Sequence, residues 1–220
     1  MALHHLQVTK TARYLTLGEL TPQTPTVWIV LHGYGQNIHS FARNFESLAE
    51  AGGFILAPEG LSRFYWNGFG GKPVASWMTS EDRDNEIIDY LAYLEKLYNT
   101  YAVYPPFIQA RKVLLGFSQG TATATRFITR SPCPFDHLVL WAGPLAHDIN
   151  WEDAGTTLSH TKNYLLLGDQ DPFIQHSDLE KQQEFLLSTG IPIEFIRYAG
   201  GHEIQPTALL DLYHKIRAQE

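Results

Sequence analysis

Residues 112–122 read KVLLGFSQGTA, an apolar run that ends in G-x-S-x-G and passes at once into small residues. The pattern predicts a strand, a sharp turn and a helix, with Ser118 at the bend. In such a turn the hydroxyl stands above the sheet. Gly116 and Gly120, two positions to either side, leave room where a side chain would collide with crossing backbone. The N-terminal end of the following helix favours developing negative charge. Ser118 is therefore a candidate nucleophile, provided the chain also supplies a base, an orienting acid and hydrogen-bond donors.

The flanking segments repeat the strand signal. TVWIVLHG at 26–33, GFILAPE at 53–59, HLVLWAG at 137–143, NYLLLGD at 163–169 and IEFIRYAG at 193–200 are short runs rich in branched and aromatic residues. Most are continuously apolar rather than alternating, as expected for parallel strands covered on both faces. Helices are expected between them. Over 38–50, Phe41, Phe45 and Leu48 share a face; over 80–98, Ile87, Leu91, Leu94 and Tyr98 do the same, with Ser80 as the cap and Glu81 and Asp82 in the first turn. Further helices are expected at 119–130, 176–189 and 205–218. Strands that alternate with helices give an α/β fold, a mostly parallel sheet with helices on both faces. LQVTK and RYLTLGEL predict an antiparallel hairpin at one edge. Two segments, 60–79 and 143–162, read as long irregular loops of the kind that line a site.

With 220 residues, 44% hydrophobic and 18% charged, the chain reads as one domain with ample core and no room for a large inserted cap. Its net charge of -7 is spread without a basic block, which excludes a nucleic-acid footprint. No run approaches the roughly twenty apolar residues of a membrane span. Cys133 is the one cysteine, so no internal disulfide forms. The N-terminus lacks the apolar run and cleavage site of a signal peptide, and the expected compartment is the cytoplasm.

A serine hydroxyl needs a general base. His202, in AGGHEI, follows the last strand in a glycine-bearing loop and precedes the final helix, which makes it the best placed of ten histidines. The acid should lie between serine and histidine in chain order. LLLGDQDPFI offers Asp169 and Asp171. Asp171 is preferred because it lies deeper in the loop and Pro172 fixes the backbone after it; Asp169 then caps the turn. For the oxyanion, the amide after the nucleophile, on Gln119, is one donor. The loop LHGYG at 31–35, bent by Gly33 and Gly35, supplies the Tyr34 amide as the second.

Taken together, LHGYGQN at 31–37, APEG at 57–60, SWM at 76–78, GFSQG at 116–120, GDQDP at 168–172 and GGHEI at 200–204 resemble the α/β-hydrolases. Within them the chain is most similar to the small phospholipase/carboxylesterase group that includes the acyl-protein thioesterases. The resemblance covers nearly the whole chain. It implies Ser118 as nucleophile, Asp171 as acid, His202 as base, oxyanion donors at Tyr34 and Gln119, and no cofactor. Three positions depart from the group: Thr121 stands where GFSQG is usually followed by glycine, and Met78 and Thr79 stand where the SW segment usually continues into Phe-Asp.

The expected activity is hydrolysis of carboxylic esters, extending to thioesters, of small or medium acyl groups through an acyl-enzyme. Lysophospholipase or acyl-protein thioesterase activity is the alternative, and a binding module on the same fold is the non-enzymatic one. Phe64, Trp66, Trp77 and Met78, within an aromatic-rich first loop, are candidate substrate contacts, with a local mini-core as the competing reading. Metal and phosphate-loop readings fail. His202 and Glu203 lack a second histidine at helical spacing, and GFGGK at 68–72 runs into Pro73.

Overall fold

The computed structural model describes residues 1–173 and 184–218. Seven strands form one sheet in the order β1 (Tyr14–Leu17), β3 (Phe54–Pro58), β2 (Thr26–Leu31), β6 (Arg111–Phe117), β7 (His137–Trp141), β8 (Lys162–Gly168) and β9 (Ile193–Tyr198). All neighbours pair in parallel except β1, which runs antiparallel to β3. β4 (Ser62–Asn67) and β5 (Gly70–Ser76) form a separate antiparallel hairpin.

Two-sided burial explains the continuous apolar runs. Along β2, Val27, Ile29 and Leu31 enter one core layer, while Trp28 and Val30 enter the other. In β7, Leu138 and Leu140 divide from Val139 and Trp141 in the same way. The period of two is intact, but each face meets helices, so both faces run apolar, and even the polar Thr26 and His137 that open β2 and β7 are buried. The first layer takes residues of α3 (Arg83–Tyr101), α4 (Pro105–Gln109), α5 (Gln119–Arg130) and α6 (Trp151–Ser159). The second takes those of α1 (Ile38–Ala42), α2 (Glu46–Glu50) and the last helix, α7 (Pro206–Arg217). Each fully buried Leu, Ile, Val or Phe contributes about 1.5–3 kcal/mol relative to exposure.

The chain passes from β2 outward to β3, then returns to the other side of β2 as β6 and continues outward to β9. Strand order thus reverses between β2 and β6. At such a switch the loops leaving the carboxyl ends of adjacent strands part to opposite faces, and a crevice opens between them. The loop after β2 and the turn at Ser118 leave the two strands on either side of that switch.

Several local expectations change. The N-terminal hairpin is one strand, β1; residues 1–13 lie outside any strand, with Arg13 fixed to buried Glu59 by two hydrogen bonds of 2.6 and 2.7 Å. The helix over 38–50 is broken by a 3₁₀ turn at Arg43–Phe45. The long helix after the first loop begins at Arg83 and is preceded by Asp82 with φ 52°, so Ser80 is not its cap. The segment 60–79 is largely the β4–β5 hairpin, turned at Gly68 with φ 68°. The segment 143–162 contains α6, capped by the Asn150 side chain on the Glu152 amide. The helix expected over 176–189 lies mostly outside the described residues, of which 184–188 are helical.

One charged cluster ties α3, α5 and the segment before α6 together. Asp148 accepts from Arg126 at 2.8 Å, from Arg130 at 2.7 Å and from Arg83 at 2.9 Å, and Arg126 is itself buried. Burial alone would push the Asp148 carboxyl up, but hydrogen bonds from Arg126 and Arg130 outweigh it and hold the group well below the usual carboxylate range. A depressed folded-state pKa contributes stability above the unfolded value of about 4, lost as pH falls through the folded value. Asp148→Asn is therefore expected to lower unfolding free energy at pH 7 by on the order of 3 kcal/mol, because buried Arg126 loses its counter-charge. Urea unfolding of both proteins from pH 7 to pH 2 should show that gap narrowing below about pH 4. A gap independent of pH contradicts the assignment.

Candidate active site

Ser118 occupies the turn between β6 and α5 with φ 53° and ψ -117°, a conformation that an L-residue adopts only at a cost of about 1–3 kcal/mol. The turn is held by its own hydrogen bonds. The Ser118 amide donates to the Trp141 carbonyl at 2.8 Å, and the Thr121 amide donates to the Ser118 carbonyl at 3.0 Å. The Thr121 hydroxyl is buried 2.7 Å from the Ser118 carbonyl and 2.6 Å from that of Pro144, sharing its proton between them. Thr121 thus ties the bend to the segment after β7, a contact that glycine would not make.

The glycines answer to close crossings. A Cβ on Gly116 would lie 2.2 Å from the Gly120 carbonyl oxygen, one on Gly120 2.2 Å from that of Leu31, and one on Gly143 2.3 Å from that of Ser118. β2, β6, β7 and the start of α5 therefore meet here backbone to backbone.

Asp171 and His202 come from the loops after β8 and β9. His202 Nε2 lies 2.9 Å from Ser118 Oγ, and His202 Nδ1 lies 2.7 Å from Asp171 Oδ2. The Asp171 side chain is fully buried; its other oxygen accepts the Phe173 amide at 2.9 Å. A carboxylate in that position keeps the imidazole proton on Nδ1 and leaves Nε2 free to accept from the serine. Asp169 points elsewhere, into an exposed ion pair with Arg197 at 2.6 Å. The histidine loop is braced from below. Trp141 Nε1 donates to the Tyr198 hydroxyl at 2.9 Å, and that hydroxyl lies 2.9 Å from the Glu203 carbonyl. The loops after β8 and β9 also touch, so a Cβ on Gly168 would lie 2.5 Å from the Gly200 and Gly201 carbonyl oxygens.

The loop after β2 runs beside Ser118: a Cβ on Gly33 would lie 3.0 Å from Ser118 Cβ. Within it, the Gly33 amide donates to the Gln36 side chain at 2.7 Å and the Gly35 amide donates to the Ala75 carbonyl at 2.9 Å. The Tyr34 amide lies between these two engaged neighbours. Buried His32 locks the loop from behind. Its Nδ1–H donates to the Gly33 carbonyl at 2.7 Å and its Nε2 accepts the Gly60 amide at 2.9 Å. Burial pushes the His32 imidazole down to about 4, so it stays neutral and keeps this pairing near pH 7.

Gln119 has a second task. Its side-chain oxygen accepts the Trp77 amide at 3.1 Å and its nitrogen donates to the Met78 carbonyl at 2.8 Å. Trp77 is buried in the core, with its indole N–H donating to the His32 carbonyl at 2.8 Å. It stiffens the loop and offers no surface to a substrate, unlike the contact expected from sequence. Met78 is half-buried, with its sulfur 3.6 Å from Arg126. Phe64 and Trp66, on the hairpin, gather around Tyr34 in the loop after β2. Their rings lie 5.5 and 5.7 Å from that of Tyr34, and Trp66 covers Gly35, where a Cβ would lie 2.1 Å from the indole.

Sequence reasoning missed Phe173, whose ring stands edge-on to His202 at 4.8 Å. Its position directly after Asp171-Pro172 was the available signal. Cys133 is buried in the first core layer, and burial pushes its thiol up to about 11, which suits a packing residue. Among the described residues, no group of three or more His, Cys, Asp or Glu is placed to hold a metal, and no helix is long and apolar enough to cross a membrane.

A family model described as Phospholipase/Carboxylesterase matches residues 19–219. No curated protein sequence matches the chain. Among solved structures, acyl-protein thioesterase 2 of Zea mays superposes with a TM-score of 0.69 at 21% identity, over 94% of this chain and 99% of that one. Esterase PE8 gives 0.69 at 20% identity over 95% and 99%, and a carboxylesterase from Mesorhizobium loti gives 0.69 at 16% identity over 93% and 94%. At such identities these structures establish a shared fold.

The crossings make a paired prediction. Gly120→Ala should cost about 3 kcal/mol or more, or abolish folding, because its methyl meets backbone that cannot retreat. Gly155→Ala, inside α6 with open space around it, should instead stabilise by about 0.5–1 kcal/mol. Thermal unfolding of the two variants checks both signs; a Gly120→Ala protein as stable as wild type contradicts the packing.

Proposed function

The chain belongs to the phospholipase/carboxylesterase family, and from that premise we propose that it is a serine hydrolase of carboxylic esters, thioesters included, acting through an acyl-enzyme on Ser118. The observation that carries this reading is the unbroken chain of contacts from Ser118 Oγ to His202 at 2.9 Å and from His202 to the buried Asp171 carboxylate at 2.7 Å.

In this mechanism His202 Nε2 takes the serine proton as Oγ bonds to the substrate carbonyl carbon. Asp171 stabilises the imidazolium through Nδ1–H without itself becoming protonated. The carbonyl oxygen gains the negative charge and is met by the Tyr34 and Gln119 amides. One such donor is worth about 3 kcal/mol in the transition state. Collapse breaks the bond to the leaving group, which receives the proton from His202. Water then attacks the acyl-serine with His202 again as base, and the acid product leaves with Ser118 restored. Support for Tyr34 as donor comes from its loop, whose flanking amides are already engaged, and from the nearness of Gly33 to Ser118 Cβ.

The aromatic surface of Tyr34, Phe64 and Trp66 beside the loop after β2 supplies an apolar wall for small or medium acyl groups. Rates on esters and on thioesters of increasing acyl length therefore provide the test. Turnover should pass through a maximum within the series, and Ser118→Ala should lower kcat by at least about a hundredfold, with thermal unfolding like that of wild type, because the covalent route is lost. Turnover in Ser118→Ala close to that of wild type contradicts the proposal.

A further inference from the structure

Phe173 is 76% exposed, yet its position is tightly specified. Its amide donates to Asp171 Oδ1 at 2.9 Å, closing a turn around Pro172, whose ring fixes the local φ. The phenyl ring then stands against His202 with centroids 4.8 Å apart and planes at 70°, an edge-to-face contact. His202 also meets buried Phe117 at 5.0 Å. The imidazole thus touches one core ring and one exposed ring. The core ring, with Asp171, already fixes its orientation, so the exposed ring is free to serve another end.

We propose that Phe173 determines leaving-group specificity, its exposed ring forming a subsite for flat aromatic alcohols, so that aryl esters are the favoured substrates. The inference rests on the reading of Ser118, His202 and Asp171 given above. In acyl transfer the leaving oxygen must approach His202 Nε2 to receive its proton, and the group attached to that oxygen then lies next to the imidazole. Phe173 covers that imidazole. Tyr34 and Trp66, 49% and 59% exposed, belong to the other flank, near the loop where the carbonyl oxygen is bound. Acyl and leaving groups therefore meet different aromatic surfaces. A rigid ring loses little freedom when another ring packs on it, and the pair gains from edge-to-face or offset geometry that an aliphatic group cannot supply.

The test compares phenyl acetate with the acetate of a polyfluorinated aliphatic alcohol of matched acidity, so that the acyl group and leaving-group strength are equal. Rates are corrected for hydroxide-catalysed hydrolysis. Wild type should favour the phenyl ester in kcat/KM by about fivefold or more, a factor within the range of one aromatic pair. Phe173→Ala and Phe173→Leu should each reduce that ratio about fivefold, whereas Phe173→Tyr should keep it. A ratio that stays constant while both rates fall would mean that Phe173 only steadies His202, and a ratio unmoved at unchanged rates would place the leaving group elsewhere; either overturns the inference and leaves the hydrolase reading intact. Failure of wild type to hydrolyse either ester overturns both.

Discussion

The left-handed turn at Ser118 is the constraint on which the rest depends. At φ 53° the chain reverses from strand to helix within one residue, and the backbone cannot relax because four segments press on it. Gly116 and Gly120 admit the crossing of α5 over the end of β6 and past β2; Gly143 admits the end of β7. A relaxed turn would carry the serine hydroxyl away from His202, which arrives independently on the loop after β9. The two side chains meet only because sheet order and turn geometry are satisfied together.

Around this turn, polar groups that would be costly if buried alone are engaged by one another. Neutral His32 joins the Gly33 carbonyl to the Gly60 amide, and Trp77 holds the His32 carbonyl from the core side. The Gln119 side chain holds the Ser76–Met78 stretch, while the Thr121 hydroxyl holds the Ser118 carbonyl. These contacts fix the backbone in advance, and amides fixed in advance need no reorganisation when charge develops on a bound carbonyl oxygen. The same rigidity argues for specificity through exposed rings at the rim rather than through rearrangement of the loop. Asp148, with its three arginines, steadies the far end of α5 and makes no ion pair with Ser118, His202 or Asp171.

The sheet was legible because its central strands are buried on both faces, which writes each as a largely apolar run, whereas the edge strands β1 and β9 keep exposed positions. The order of Ser118, Asp171 and His202 was legible because each follows a strand end in a glycine-marked loop. The β4–β5 hairpin was not, since SRFYWN and GGKPVAS show no clean alternation and lie outside the main sheet. α6 was hidden by Gly155 and two threonines, weak helix formers in a nine-residue segment. Aromatic content could not separate Trp77, a core brace, from Trp66, an exposed neighbour of Tyr34, because burial is decided by how the hairpin docks on the loop after β2. Phe173 was marked only by its place directly after Asp171-Pro172; its stand against His202 depends in addition on a hydrogen bond to Asp171 that sequence alone does not show.

The central claim is that Ser118 is a nucleophile activated by His202. Its most direct test is the intact mass of the folded protein after exposure to a fluorophosphonate, with Ser118→Ala treated alongside. One covalent adduct on wild type, absent from the variant, is the predicted result. No adduct on folded wild type, or an adduct that persists in Ser118→Ala, contradicts it.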